Sequence, residues 1–211
     1  MFCYFNFTQV NADLLRLLPA LELVVTPTVG VNHIDLTECR RRGISVANAG
    51  AAYSEDVADC AVGLFIDVHR RLSAADLYIR QRGIGTPDDR RNFPLTGSKS
   101  KRTTSSTSKS YRHSEEIVNV GRGAVIDEKE LVRCLVHGEI RGAGLDVFED
   151  EPHVPKVLFG LDNVVLSPHT AAFTPQSFQT ENDVMVANLE AFFSDQPLVT
   201  PFIDDYYASY I

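Results

Sequence analysis

Residues 117–152 read IVNVGRGAVIDEKELVRCLVHGEIRGAGLDVFEDEP, and residues 163–174 read NVVLSPHTAAFT. Two rhythms alternate in them. IVNV (117–120), AGLDVF (143–148) and VVLS (164–167) are short apolar runs bounded by glycine, proline or acidic residues, the pattern of buried strands. Between the first two lies EKELVRCLVH, apolar at helical spacing. Asp127 with Glu130 has the form of a capping box at its start, and Gly138 closes it. Strand, helix and strand in close succession predict a parallel α/β arrangement.

The same stretch sets four ionisable side chains at or near predicted strand ends. Arg122 follows the first strand directly, and its fork suits two-point binding of a carboxylate; a surface arginine in a GRG turn would look the same. Asp146 lies inside an apolar strand, where an unpaired charge is costly, so it either faces a functional cleft or caps a neighbouring loop. Glu151, in the acidic EDEP loop, reads by itself as a solvated carboxylate. His169 follows Pro168 at a strand end and alone is as compatible with structure as with catalysis. Taken together they have a chemistry. An imidazole that titrates near neutrality, a carboxylate to hold its proton and a guanidinium for an anionic substrate form a proton-transfer and clamp set.

Upstream, Asn11 caps a short predicted helix ended by Pro19, and LELVVT (21–26) reads as a buried strand. The loop TPTVGVNH follows, with Gly30 giving close backbone access or a turn. A helix over 34–42, with Ile34 and Cys39 inward and Gly43 at its end, leads to strand ISVAN (44–48). One long helix is expected from Ser54, its cap, to about Arg82, with Asp67 and His69 interrupting the apolar middle. Residues 98–114 hold five Lys/Arg, no acid and almost nothing apolar, and read as a solvated linker. A last helix is expected from Gln176 to Phe193.

Net charge is -8 and 44% of the 211 residues are hydrophobic, which permits one large or two small domains and gives no global basic footprint for nucleic acid. Cys3, Cys39, Cys60 and Cys134 are scattered without a CxxC, which argues against a zinc site and for a reducing compartment, the cytoplasm being the expectation. No run long and apolar enough for a membrane span is present.

Three motifs carry a resemblance. Asn119-Val-Gly-Arg122-Gly-Ala-Val-Ile-Asp127, Gly144-Leu-Asp146-Val-Phe-Glu-Asp-Glu151-Pro152 and Pro168-His169-Thr-Ala-Ala-Phe-Thr174 resemble, in order and separation, segments of the D-isomer-specific 2-hydroxyacid dehydrogenases. The plant-type glyoxylate/hydroxypyruvate and hydroxyphenylpyruvate reductases are the nearest type. TPTVGVNHID (26–35) resembles that family's substrate loop, with Asn32 and His33 departing from its usual pattern.

The resemblance implies Arg122 on the substrate carboxylate and keto oxygen, His169 as acid/base, and Glu151 bonded to the histidine. It implies backbone N–H groups of Val29 and Gly30 on the substrate, and Val57, Asn119, Val120, Gly121 and Asp146 at an NAD or NADP cofactor. It also implies a flavodoxin-like and Rossmann-like two-domain fold. Residues 1–97 would be a partial substrate domain with a long bridging helix, 98–116 a linker, 117–175 a remnant of the cofactor domain, and 176–211 a helix returning to the substrate domain.

The chain has no GxGxxG, the turn that normally seats a dinucleotide pyrophosphate. From this we expect the cofactor domain to be largely missing, through internal and N-terminal truncation. Two functions follow. One is NAD(P)H-dependent reduction of a small 2-oxo acid (glyoxylate, hydroxypyruvate or hydroxyphenylpyruvate) to the D-2-hydroxy acid. The other is a catalytically inactive form that pairs, as a homodimer or with full-length relatives, through the helix at 54–82.

Overall fold

The computed structural model describes residues 9–84 and 115–202. The expected linker 98–114 therefore lies outside the described residues. The chain divides into two compact units, the first made of residues 1–56 and 172–211, the second of residues 57–171.

In the first unit, helix α1 (Ala12–Arg16) starts at Asn11, whose side chain accepts the Leu14 N–H. Strand β1 (Leu23–Val25) is buried along its whole length, as its uninterrupted apolar sequence requires. Helix α2 (Leu36–Arg42) is capped by Asp35 and ends at Gly43 in the left-handed region, which glycine enters without a Cβ penalty. Strand β2 (Ser45–Ala47) then pairs in parallel with β1. Two apolar clusters, one around Val10, Leu15, Val24 and Cys39, the other around Val25, Ala47 and Met185, bury this sheet.

Helix α3 (Ser54–Arg70) and helix α4 (Leu72–Arg82) replace the single helix expected over 54–82. The break is at Arg71, which has φ of 56°. The cause is local. The Asp67 carboxylate accepts the Ser73 N–H at 2.8 Å and also the Ser73 hydroxyl, so it caps a new helix from the last turn of the old one. Ser54, expected as the cap of α3, is its first helical residue, with its N–H on the Ala51 carbonyl.

In the second unit, strands β3 (Glu116–Asn119), β4 (Gly142–Leu145) and β5 (Val164–Leu166) form a parallel sheet with β4 in the middle. Helix α5 (Glu128–Val136) connects β3 to β4 and buries Leu131 and Leu135 in a cluster with Leu145, Phe148 and Leu158. Asp127 caps it through the Glu130 N–H, but only half of the expected capping box forms. The Glu130 carboxylate instead takes the Arg133 fork, a charge-assisted pair stronger than a bond to a neutral amide. α3 lies tight on β4 because a Cβ at Gly142 would stand 2.7 Å from Val68 Cγ1, and one at Gly144 2.9 Å from Leu64 Cβ.

The chain returns to the first unit through helix α6 (Pro175–Phe193), capped by Thr174. The Thr174 and Ser177 hydroxyls both donate to Asp56. These bonds hold the Asp56 carboxyl below its ordinary range, the Ser177 bond first. Among the described residues no helix is long and apolar enough to cross a membrane.

Candidate active site

In the second unit, three loops leave the carboxyl ends of β3, β4 and β5, the edge at which open parallel sheets bind ligands. Each carries one or more of the expected residues, and each is held by bonds of its own.

Asn119 closes the first loop. Its side chain accepts the Gly121 N–H at 3.1 Å and donates to the Arg122 carbonyl at 2.9 Å. Both bonds of the side chain are thus within its own turn. That turn presents Val120 and Gly121 half-buried and exposed, respectively, and positions Arg122. The Arg122 side chain is half-buried and, among the described residues, gives one bond, Nη1 to the Gly121 carbonyl at 2.8 Å. A guanidinium has five N–H donors, so most of the fork is available. Gly123 explains the second glycine of GRG. A Cβ there would stand 1.9 Å from the Phe148 carbonyl carbon, so the Arg122 loop lies directly on the backbone of the Glu151 loop.

Glu151 anchors the second loop. One oxygen accepts the Phe148 N–H at 3.0 Å and the other faces His169 Nδ1 at 2.7 Å. A carboxylate opposite Nδ1 puts the proton on that nitrogen and leaves Nε2 for a substrate. Both side chains are about a third exposed, at 39% and 35%. Such a pair contributes little to stability, so its consequence is orientation of the ring.

Asp146 settles its two sequence readings in favour of the loop. It is fully buried, and its carboxylate accepts the Ser167 hydroxyl, the Thr170 N–H at 2.9 Å and the Ala171 N–H at 3.0 Å. These three donors bracket His169, whose φ of 57° is unfavourable for a residue with a Cβ. The Asp146 anchor therefore holds the histidine in a backbone shape it would otherwise leave. Cys60 is half-buried nearby, where burial and then the Asp146 charge push its thiol up from the ordinary value. Val57 is half-buried in the first turn of α3 and brings no polar group.

Val29 and Gly30 belong to the first unit. Four successive carbonyls of their loop are occupied: Pro27 by the Tyr53 hydroxyl at 2.7 Å, Thr28 by the Ala49 N–H at 3.1 Å, Val29 by Asn48 Nδ2 at 2.7 Å and Gly30 by the Thr28 hydroxyl at 2.6 Å. The N–H groups of Val29, Gly30 and Val31 bond to nothing among the described residues. Unengaged successive amides of this kind are what an anion needs.

Sequence reading missed Ser167, Asn48, Tyr53 and the Val31 amide. The first three are polar residues in loops that immediately follow strands, a weak signal that only their partners make specific.

Comparison with known proteins decides what this set belongs to. The chain is 41% identical to a glyoxylate/hydroxypyruvate reductase of Arabidopsis thaliana over 256 positions that take in 91% of this chain and 79% of the relative. It is 32% identical to a hydroxyphenylpyruvate reductase of Plectranthus scutellarioides, covering 92% and 82%. Residues 91–171 match the family model described as the NAD binding domain of D-isomer specific 2-hydroxyacid dehydrogenases. The chain belongs to the D-2-hydroxyacid dehydrogenase family.

Within that family its fold is similar to an NADPH-dependent glyoxylate/hydroxypyruvate reductase of Sinorhizobium meliloti solved with citrate, at a TM-score of 0.78 and 27% identity, over 96% of this chain and 83% of that one. The same reductase solved with NADP and malonate gives 0.76.

These findings correct one expectation. The cofactor domain is present, not largely missing, and its match runs through the segment read as a linker. That expectation rests on the polar, basic run that stands between residues 98 and 117 and on the absent glycine fingerprint. The β3–β4–β5 sheet, its apolar cluster and its carboxyl-end loops carry the domain's identity without it. The alignment of 256 positions still exceeds the 211 residues of the chain, so the relative holds segments without a counterpart here.

As a D-2-hydroxyacid dehydrogenase with this domain, the chain has NAD or NADP as its cofactor. At the end of β3 the Asn119-locked turn leaves Gly121 exposed, with room for a ligand to approach its backbone.

Proposed function

We propose that this chain reduces a small 2-oxo acid, of the glyoxylate, hydroxypyruvate or hydroxyphenylpyruvate kind, to the D-2-hydroxy acid. The observation that carries the reading is the 2.7 Å pair between His169 Nδ1 and Glu151, on loops at the carboxyl-end edge of the β3–β4–β5 sheet, the edge at which open parallel sheets bind ligands. The keto carbon would take its hydride from a nicotinamide held beside Val120 and Gly121. Protonated His169 gives its Nε2 proton to the keto oxygen, and Glu151 keeps Nδ1 protonated and the ring aimed. The free part of the Arg122 fork neutralises charge that grows on that oxygen and pairs with the substrate carboxylate. In the first unit, the successive Val29–Val31 amides take a substrate carboxylate. Val120 and Gly121 form the cofactor seat with Val57, while Asn119 and Asp146 shape it from behind.

Titration of the purified chain with NADH and NADPH, followed by nicotinamide fluorescence and melting temperature together, tests the reading. Saturable binding that raises the melting temperature, then turnover of glyoxylate or hydroxypyruvate that His169→Ala abolishes, is the expected result. A folded chain that binds neither nucleotide refutes it.

A second reading concerns association. Val62, Phe65, Ile66, Leu72, Leu77 and Ile79 stand exposed along α3 and α4, which supports pairing of this chain with a second copy or a full-length relative. Sedimentation of the pure chain tests it; a monomer at micromolar concentration would sink the self-pairing form. The scattered cysteines, with Cys39, Cys60 and Cys134 free, support a cytoplasmic location.

A further inference from the structure

We infer that Thr200 and Asn188, far along the chain from the substrate loop, set the carboxylate affinity of that loop through Asn48. The observation is one continuous line of bonds within the first unit. Asn188, fully buried on α6, donates from Nδ2 to Thr200 Oγ1 at 2.8 Å and accepts the Thr200 N–H at 3.1 Å. The Thr200 hydroxyl donates to the Asn48 carbonyl at 2.6 Å, and the Asn48 N–H returns to the Thr200 carbonyl at 3.3 Å. The Asn48 side chain then donates to the Val29 carbonyl at 2.7 Å and accepts the Gly50 N–H at 3.0 Å.

Two features make this more than a docked tail. First, Thr200 is fixed on both sides of its hydroxyl: its methyl sits where a Cβ of Gly50 would be, 2.6 Å away, and Gly50 has φ of 57°. With Asn188 Nδ2 donating to it, the Thr200 hydroxyl gives its own proton to the Asn48 carbonyl. Second, the line ends on the carbonyl of the peptide that carries the Gly30 N–H. Rotation of that peptide moves carbonyl and N–H together, because the unit is planar. The bond from Asn48 therefore fixes the direction of an amide that would bind the substrate. Without Thr200, buried Asn188 Nδ2 and the Asn48 carbonyl lose a shared partner, and both will turn to find another.

Thr200, Asn188 and Asn48 are thus positioning residues. This inference rests on the reading that the Val29–Val31 amides take the substrate carboxylate, and the test separates the two. Oxamate, a non-reducible isostere of a 2-oxo acid, is titrated into 15N-labelled full-length chain, and into Thr200→Val and Thr200→Ser. Movement of the Val29, Gly30 and Val31 amide signals in the parent chain tests the loop itself. No movement there overturns the loop reading, and this inference falls with it.

Given movement, Thr200→Val is expected to bind oxamate about five- to tenfold more weakly, the effect of one misdirected hydrogen bond. Thr200→Ser, which restores the hydroxyl, is expected to bind like the parent. Equal affinity of the folded Thr200→Val chain overturns the inference and leaves the loop reading standing. If Thr200→Val does not fold, Asn48→Ser replaces it. That change keeps both backbone bonds to Thr200 and removes the reach to Val29, with the shorter serine hydroxyl left to accept the Gly50 N–H, so unchanged affinity there overturns the inference equally.

Discussion

Replacing Asp146 by asparagine keeps the size and shape of the side chain and changes only what it can accept. The carboxylate takes three donors: Oδ1 accepts the Ser167 hydroxyl and the Thr170 N–H, and Oδ2 accepts the Ala171 N–H. The best placed asparagine keeps its oxygen on the first two and turns its NH2 group against Ala171. One buried donor is then orphaned, which costs about 1–3 kcal/mol. The two surviving bonds lose their charge assistance, about 1 kcal/mol each. Burial of a neutral amide instead of a carboxylate offsets part of this. The expected net loss is about 2–3 kcal/mol, or roughly 5–10 °C in melting temperature for a chain of this size.

The loss has a second readout. His169 is held at φ of 57° between Ser167 and Thr170, and relief of that conformation favours a swing away from Glu151. Urea denaturation followed by circular dichroism measures the first effect. The imidazole Nδ1–H resonance, shifted far downfield by the Glu151 carboxylate, reports the second and should be lost in Asp146→Asn. A variant within about 0.5 kcal/mol of the parent that retains the resonance would refute the claim that Asp146 holds this loop.

Gly123→Ala would drive a methyl group into the Phe148 backbone at 1.9 Å, a clash no rotamer relieves, and should cost about 3 kcal/mol or more in a denaturant titration; a normal midpoint would show that the two loops are not in contact. Glu151→Gln should lower kcat by about 10²-fold with stability changed by less than about 0.5 kcal/mol, because the pair is exposed and its effect is orientation. Steady-state rates and melting curves check both halves, and a stability loss with unchanged kcat would contradict the assignment. Glu139 is held down at about 2 by the Arg133 guanidinium. Its pKa is depressed in the folded chain, so its contribution is complete above the ordinary carboxylate range and vanishes as pH falls toward about 2. Urea midpoints measured from pH 6 down to pH 2 should fall less steeply in Arg133→Met than in the parent, and high salt should shrink the difference; parallel curves would count against it.

How legible the site was differs residue by residue. That Arg122, Glu151 and His169 stand at one sheet edge is legible because each lies a short offset from a strand, and these strands declare themselves as short apolar runs. The break at Arg71 was not readable. It depends on Asp67 choosing the Ser73 N–H over solvent, a competition that apolar spacing does not register. The extent of the cofactor domain was misread for a related reason. A glycine fingerprint is a local pattern, whereas a parallel sheet and its apolar cluster are assembled from segments far apart in sequence.

By itself the sequence determined the α/β class, the strand and helix order around residues 117–174 and the residues able to transfer a proton. These follow from periodicity and from side-chain chemistry, which are local properties. Only the tertiary structure decided which carboxylate faces the histidine and which holds its loop. Glu151 and Asp146 are both acidic residues close to strand β4; an acidic loop and an apolar strand suggest exposure for one and burial for the other, but name no partner for either. Folding does: Asp146 is enclosed among three donors from the loop after β5, and Glu151 reaches the surface beside His169. The same holds for Asn48, whose amide acquires a role only because Val29 and Thr200 are folded against it.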